Sequence, residues 1–163
     1  MTTAELVLPL RARDLRPADL PSCTWSGSPH HLQSVTRQLQ RARIGEVDYL
    51  AICPPSDIPV AKGGIDYKPH EGAGYLWQLA VHPALQSCGI GTFLIEAAEL
   101  RIKSRGLRRA ELAVEETNPR ALALYERLGY IAYDRALDSW TEQSPDGSTH
   151  LHETMCVQLR KAL

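Results

Sequence analysis

Two stretches carry residue types and spacings that could do chemistry. The first runs from His82 to Leu100, HPALQSCGIGTFLIEAAEL. A proline is followed by Gln86, then by Gly89 and Gly91, then by a run with helical spacing. The N-terminus of a helix leaves backbone N–H groups unpaired and carries partial positive charge. Glycines at that point let a large anion approach the amides. The stretch reads as a phosphate cradle or, with nothing bound, as a tight strand-to-helix connection. No Lys-Ser or Lys-Thr follows the glycines, which excludes a P-loop by pattern. A dinucleotide fingerprint needs G-x-G-x-x-G directly after a strand, and SCGIGTFL departs from it. The second stretch is EETNPRALALYERLGY. Asn118 suits an N-cap, Pro119 the first turn, and Gly129 the position past the end. Asn118 and Tyr125 are seven residues apart, so at about 3.6 residues per turn they share one helical face. By themselves they read as a cap and a packed phenol.

Elements must hold these residues in place. ELVLPLRAR (Glu5 to Arg13) has a strand's alternation, with Leu6, Leu8 and Leu10 on one face. A short helical turn is expected near Pro17–Leu20. SPHHLQSVTRQLQRARIG is an amphipathic helix with Ser28 as N-cap, Pro29 in the first turn and Gly45 past its end. EVDYLAICPP is a strand stopped by Pro54 and Pro55. IPVAKGGIDY is its partner, weakened by Gly63 and Gly64. YLWQLAV is the strongest strand, its alternation placing Tyr75, Trp77, Leu79 and Val81 on one face. A helix is expected from about Gly89 to Lys103, RRAELAVEE as a strand, and the Asn118 helix after it. YIAYDRAL and HLHETMCVQL form a closing pair of strands around SPDGS, with DSWTEQ as a polar connection. The count is about seven strands and about four helices in mixed α/β order.

The 163 residues suit one domain spanning 1–163, and 44% hydrophobic content is enough for a core. Lys+Arg number 18 and Asp+Glu 19, a balance that argues against nucleic acid as a partner. No apolar run reaches the roughly 20 residues of a membrane span, and MTTAELVLPLRARD has no basic region leading into an apolar block. Cys23, Cys53, Cys88 and Cys156 are widely spaced with no C-x-x-C pair, which indicates neither a zinc site nor a disulfide framework and suits free thiols in a cytoplasmic protein.

Taken together, the two stretches from Tyr75 to Tyr130 resemble the GNAT superfamily of acetyl-CoA-dependent N-acetyltransferases. LAVHPALQSCGIG is similar to the family's strand and Q/R-x-x-G-x-G/A loop, and NPRALALYERLGY to its second signature. The resemblance implies the GNAT acyl-CoA N-acyltransferase fold. That is a central, mostly antiparallel sheet of about seven strands, splayed between the fourth and fifth strands (75–81 and 108–115), with about four flanking helices. It implies that the amides of Gln86, Ser87, Cys88, Gly89, Ile90, Gly91 and Thr92 bind the pyrophosphate of acetyl-CoA. By the same token the backbone of Leu79 and Val81 would pair with the pantetheine arm, Asn118 would touch that arm, and Tyr125 would lie beside the sulfur as proton donor. No metal is implied. The expected partners are an amine acceptor, small molecule or peptide, and a homodimer is common in the family.

The resemblance leaves the base open. The family's usual carboxylate positions hold Tyr75 and Ala113 here. Glu115 shares a strand face with Ala113 and ranks first; Glu116, His70 and Glu71 follow, and a water chain is a further route. His82 reads as loop structure, His150 and His152 as a surface pair or the edge of a substrate pocket, and Cys88 as a small residue that fits or a reactive thiol. Trp25, Trp77 and Trp140 line the acceptor pocket or pack. Two function classes follow: a transferase acting on a primary amine, and a non-catalytic acetyl-CoA-binding sensor or scaffold module. The phenol at Tyr125 favours the first, since binding alone needs no proton donor.

Overall fold

The computed structural model describes residues 1–163. Its strands are β1 (Arg11–Asp14), β2 (Val47–Cys53), β3 (Ala61–Asp66), β4 (Gly74–Val81), β5 (Arg109–Glu115), β6 (Ile131–Gln143) and β7 (Thr149–Ala162). Its α-helices are α1 (Pro29–Arg43), α2 (Ile90–Ser104) and α3 (Pro119–Arg127), and three short 3-10 turns join them. One seven-stranded sheet runs in the order β1-β2-β3-β4-β5-β7-β6. Every neighbouring pair is antiparallel except β4–β5. No helix is long and apolar enough to cross a membrane.

β2 shows how the sheet divides its core. Its sequence VDYLAIC is almost continuously apolar because both of its faces are covered. Leu50 and Ile52 join a fifteen-residue cluster with Leu94, Ile95, Ala98 and Ile102 of α2. Tyr49, Ala51 and Cys53, one residue out of phase, join a smaller cluster with Val35 and Leu39 of α1. Helix caps fall where the sequence places them. Ser28 Oγ accepts from His31 N, and Asn118 Oδ1 accepts from Ala121 N.

Three expectations are corrected. The first strand is Arg11–Asp14, not Glu5–Arg13, and Leu6 and Leu8 are exposed. Arg11 already pairs with Cys53, the last residue of β2. Beyond it lie Pro54 and Pro55, which cannot donate to a ladder, so residues 5–10 have no strand to join. Second, DSWTEQ is not a connection. β6 runs through it to Gln143, which pairs with Thr149. Its polar alternation is that of an edge strand with a wet face.

The third correction lies in β4. Tyr75 and Trp77 do not share a face with Leu79 and Val81. A Cβ on Gly64 would strike the Trp77 ring, and one on Gly63 would strike Leu79. Gly63 and Gly64 are neighbours on β3, so their partners lie on opposite faces of the sheet. The cause is Gln78, whose φ of 54° is left-handed, with a matching register shift against β3 between Lys62 and Gly64. One inserted residue reverses the alternation after it. Leu79 and Val81 therefore pack with Leu76 against the α2 cluster.

Candidate active site

β4 and β5 are hydrogen-bonded only at Gly74↔Ala110 and Tyr75↔Glu111. Past Tyr75 they diverge, and the facing edge of β4 has no strand partner. A cavity of about 950 Å³ opens in this wedge. Leu79, Ala113, Glu115, Asn118 and Tyr125 all line it, so the strand face, the N-cap and the phenol meet in one place. α1 closes one side with His30, His31, Ser34 and Arg37, and β6 the other with Asp138, Trp140 and Glu142.

Tyr125 is half-buried, its ring edge-on to Tyr130 at 6.1 Å between centroids. Burial alone pushes its phenol up, so it keeps its proton across the neutral range. Asn118 spends its Oδ1 on capping α3, which leaves its amide N–H groups for a ligand. Glu115 is 34% exposed, with Oε2 3.3 Å from His152 Nε2. The His152 ring packs on Trp140 at 4.9 Å. His150 meets Glu142 at 3.5 Å, so the two histidines stand on one face with separate carboxylates.

Neither usual base position supplies a base. Tyr75 is pushed up to about 12, first by burial and then by Asp138, and stays a phenol; Ala113 has nothing to ionise. His70 stacks on Tyr75 at 5.3 Å and reaches Glu111 at 2.9 Å, at the closed end of the wedge. Glu116 pairs with Arg135. His82 caps the turn after β4 by accepting from Ala84 N at 3.1 Å. Trp77 and Trp140 line the cavity, whereas Trp25 sits apart beside His82, 5.5 Å from its ring.

The glycine loop stands outside the cavity, at the end of β4. Gln86 Nε2 donates back to Val81 O at 3.4 Å, and Cys88 Sγ lies 3.5 Å from Gln86 O. Gly89 is the N-cap of α2, left-handed at φ 84°, with no side chain capping the helix. The first amides of α2 are thus open to an outside acceptor. An anion fits this end, and an extended polar arm fits the unpaired edge of β4, which is what acetyl-CoA would need. Sequence reasoning missed Arg120, whose guanidinium donates to Ser87 Oγ and ties α3 to the loop. The one local signal for it was a basic residue in the first turn of α3, where a cation opposes the helix dipole.

This architecture is an acyltransferase-type α/β fold. Solved structures share it, two N-acetyltransferases among them. The ribosomal-protein-S18-alanine N-acetyltransferase of Escherichia coli has TM-score 0.71 at 18% identity, covering 94% of each chain. The spermidine N-acetyltransferase of Vibrio cholerae in complex with CoA and spermine has TM-score 0.71 at 14% identity, covering 94% of this chain and 95% of that one.

The sequence model of the acetyltransferase (GNAT) family matches residues 14–130, and the chain belongs to that family. A mycothiol acetyltransferase of Jonesia denitrificans is 33% identical over 108 residues, 66% of this chain and 30% of that protein. This chain spans between 19% and 30% of the length of the curated relatives it matches.

Proposed function

We propose that this chain, as a single domain spanning residues 1–163, transfers the acetyl group of acetyl-CoA to a primary amine of a small molecule or peptide. The observation that carries the reading is convergence. Tyr125, Asn118 and Glu115 come from two elements and meet at the open end of the β4–β5 wedge. The uncapped amides of α2 lie at the end of the same strand.

Acetyl-CoA supplies an activated carbonyl on a thiol leaving group. The amides from Gln86 to Thr92 would hold its pyrophosphate, with Arg120 adding a cation beside Ser87. The backbone of Leu79 and Val81 would pair with the pantetheine arm as an added strand, and Asn118 would donate to the same arm. A backbone N–H of β4 would stabilise charge developing on the carbonyl oxygen.

Tyr125 holds a proton at Oη for the departing sulfur. A primary amine has a pKa near ~10.4 and arrives protonated. Glu115 draws that ammonium into the cavity and takes its proton, and partial exposure lets it hand the proton to water.

The first test is a thermal melt with acetyl-CoA, with ATP and NAD as controls. A ligand at about 100 times its Kd adds roughly 2.7 kcal/mol when it binds only the folded state. A shift with acetyl-CoA alone is expected; no shift in folded protein overturns the reading. The second test is thiol release with an amine panel. The similar proteins are named for spermidine, an S18 alanine and mycothiol. The panel therefore takes spermidine, a peptide with an amino-terminal alanine, and mycothiol-related amines. The reading places the enzyme in the cytoplasm.

A further inference from the structure

Four charged side chains are buried: Lys62, Asp66, Glu99 and Glu111. Three of them face an opposite charge. Arg41 holds Asp66, Lys161 holds Glu99, and Arg109 approaches Glu111. Lys62 is the most deeply buried, with no exposed surface, and it has no carboxylate partner. Its Nζ donates instead to His31 Nε2 at 2.9 Å and to Tyr49 Oη at 3.2 Å. An ammonium buried without a counter-charge is costly, and neutral acceptors offset only part of that.

The chain of bonds leads to the candidate active site. Tyr49 Oη donates to Gln78 Oε1 at 3.0 Å, and Gln78 Nε2 donates to Ser34 Oγ at 3.2 Å. His31, Ser34 and Gln78 all line the cavity, and Gln78 is the left-handed bulge residue of β4. Lys62 thus stands one side chain behind the cavity wall. The groups facing it are Tyr49 from β2, His31 with His30 beyond it from α1, and Cys23 from the turns before α1. Burial raises Tyr49 and Cys23, so both stay neutral. Burial also pulls Lys62 down to about 8 and, with the help of the Lys62 charge, His31 down to about 4. Neutral Lys62 is therefore populated near physiological pH.

We propose that Lys62, reached through His31, is a second acceptor for the proton of the incoming ammonium. In the step, His31 Nδ1 takes a proton from the ammonium while His31 Nε2 gives its proton to the neutral Lys62 Nζ. One N–H bond breaks and one forms at each stage. A free amine is left in the cavity and an ammonium on Lys62. His31 is a relay, because as an imidazolium it is too acidic to keep the proton. Lys62 touches no substrate and acts through His31.

The inference rests on the transferase reading, and the experiment separates the two. The pH dependence of kcat is measured for wild type, Lys62→Met and His31→Gln, with the acetyl-CoA melt shift as a binding control. Both variants are expected to keep the melt shift, lose at least tenfold in kcat, and lose the rising limb near pH 8. Lys62→Met is also expected to melt higher than wild type, which a merely structural lysine would not do. In [13C]lysine-labelled protein, the signal absent from Lys62→Met should titrate near pH 8. Wild-type transfer with the limb unchanged in both variants overturns the role of Lys62, as does a Lys62 signal titrating near its ordinary 10.5. No transfer from wild type to any amine overturns the transferase reading itself.

Discussion

Two buried charges, Glu99 on the α2 face of the sheet and Lys62 on the α1 face, are treated in opposite ways. On the α2 face, fifteen apolar side chains surround one buried carboxylate, Glu99. Lys161 Nζ donates to both of its oxygens at 3.0 Å, and Tyr130 Oη donates at 3.1 Å. On the α1 face the cluster has seven residues, and Lys62 is held only by an imidazole and a phenol. The neutralised Glu99 belongs to a foundation under α2 and α3. The α1 face neutralises Asp66 through Arg41 but leaves Lys62 without a counter-charge, giving up stability at that one point to keep a titratable group behind the cavity wall. Strained or poorly compensated features collect where function is carried, and the contrast fits the proposal that the incoming amine meets the α1 wall.

The largest expected effect tests where the apolar face meets chemistry. Tyr125 packs on the rim of the α2 cluster and exposes one hydroxyl. Tyr125→Phe should lower kcat by about 10²- to 10⁴-fold, the range for a lost proton donor, with the acetyl-CoA melt shift unchanged. Equal loss of binding would assign that hydroxyl to affinity instead.

Next in size is the core itself. Leu94→Ala on the α2 face should cost about 2–5 kcal/mol, because a dense cluster cannot collapse into the cavity. Leu39→Ala on the smaller α1 cluster should cost less. Urea denaturation of both variants measures the difference, and equal costs would erase the contrast in packing.

A smaller effect concerns pH. The folded chain holds Lys62 near 8 and His31 near 4, below their ordinary values of 10.5 and 6.5. Between each pair of values the unfolded chain binds a proton that the folded chain refuses. Stability therefore climbs with pH from about 4 to 6.5 and again from about 8 to 10.5, and falls as pH is lowered through either window. Lys62→Met should flatten the alkaline climb and His31→Leu the acidic one, read from melts at closely spaced pH. Each kcal/mol moves the midpoint by about 2–4 °C in a chain of this size.

The smallest effects belong to the caps. Asn118→Ala should cost about 0.5–2 kcal/mol by freeing the Ala121 amide. Gly89→Ala meets open space, so its cost is the left-handed backbone alone, about 1–2 kcal/mol. Both should also weaken the acetyl-CoA shift, Gly89→Ala by bending the pyrophosphate cradle and Asn118→Ala by removing the amide that meets the pantetheine arm, and a shift unchanged in either variant removes that residue from the cofactor site.

Much of this molecule is legible in the chain. Ser28 with Pro29 and Asn118 with Pro119 announce helix starts, and Gly45, Gly106 and Gly129, all at positive φ, mark their ends. The glycine loop and the Asn118-to-Tyr125 spacing place two halves of the candidate site. These signals are local, because a cap or a helical face is decided by torsions and hydrogen bonds within a few residues.

What the tertiary structure alone decided is the identity of surfaces. The bulge at Gln78 turns Leu79 and Val81 to the opposite face from Trp77, and no alternation rule foresees an inserted residue. β6 runs on through Trp140 because β7 pairs with it, although its own residues read as a polar loop. Nothing in VAKGGI singles out its lysine, yet Lys62 is the most buried of the charged side chains. Its burial is imposed by Tyr49 thirteen residues away and His31 thirty-one residues away. The sequence alone determines which segments coil and where they cap, since those energies are paid within one turn. Desolvation depends on which distant segments close over a residue, so only the assembled fold settles which charges are buried and which lie behind the cavity wall.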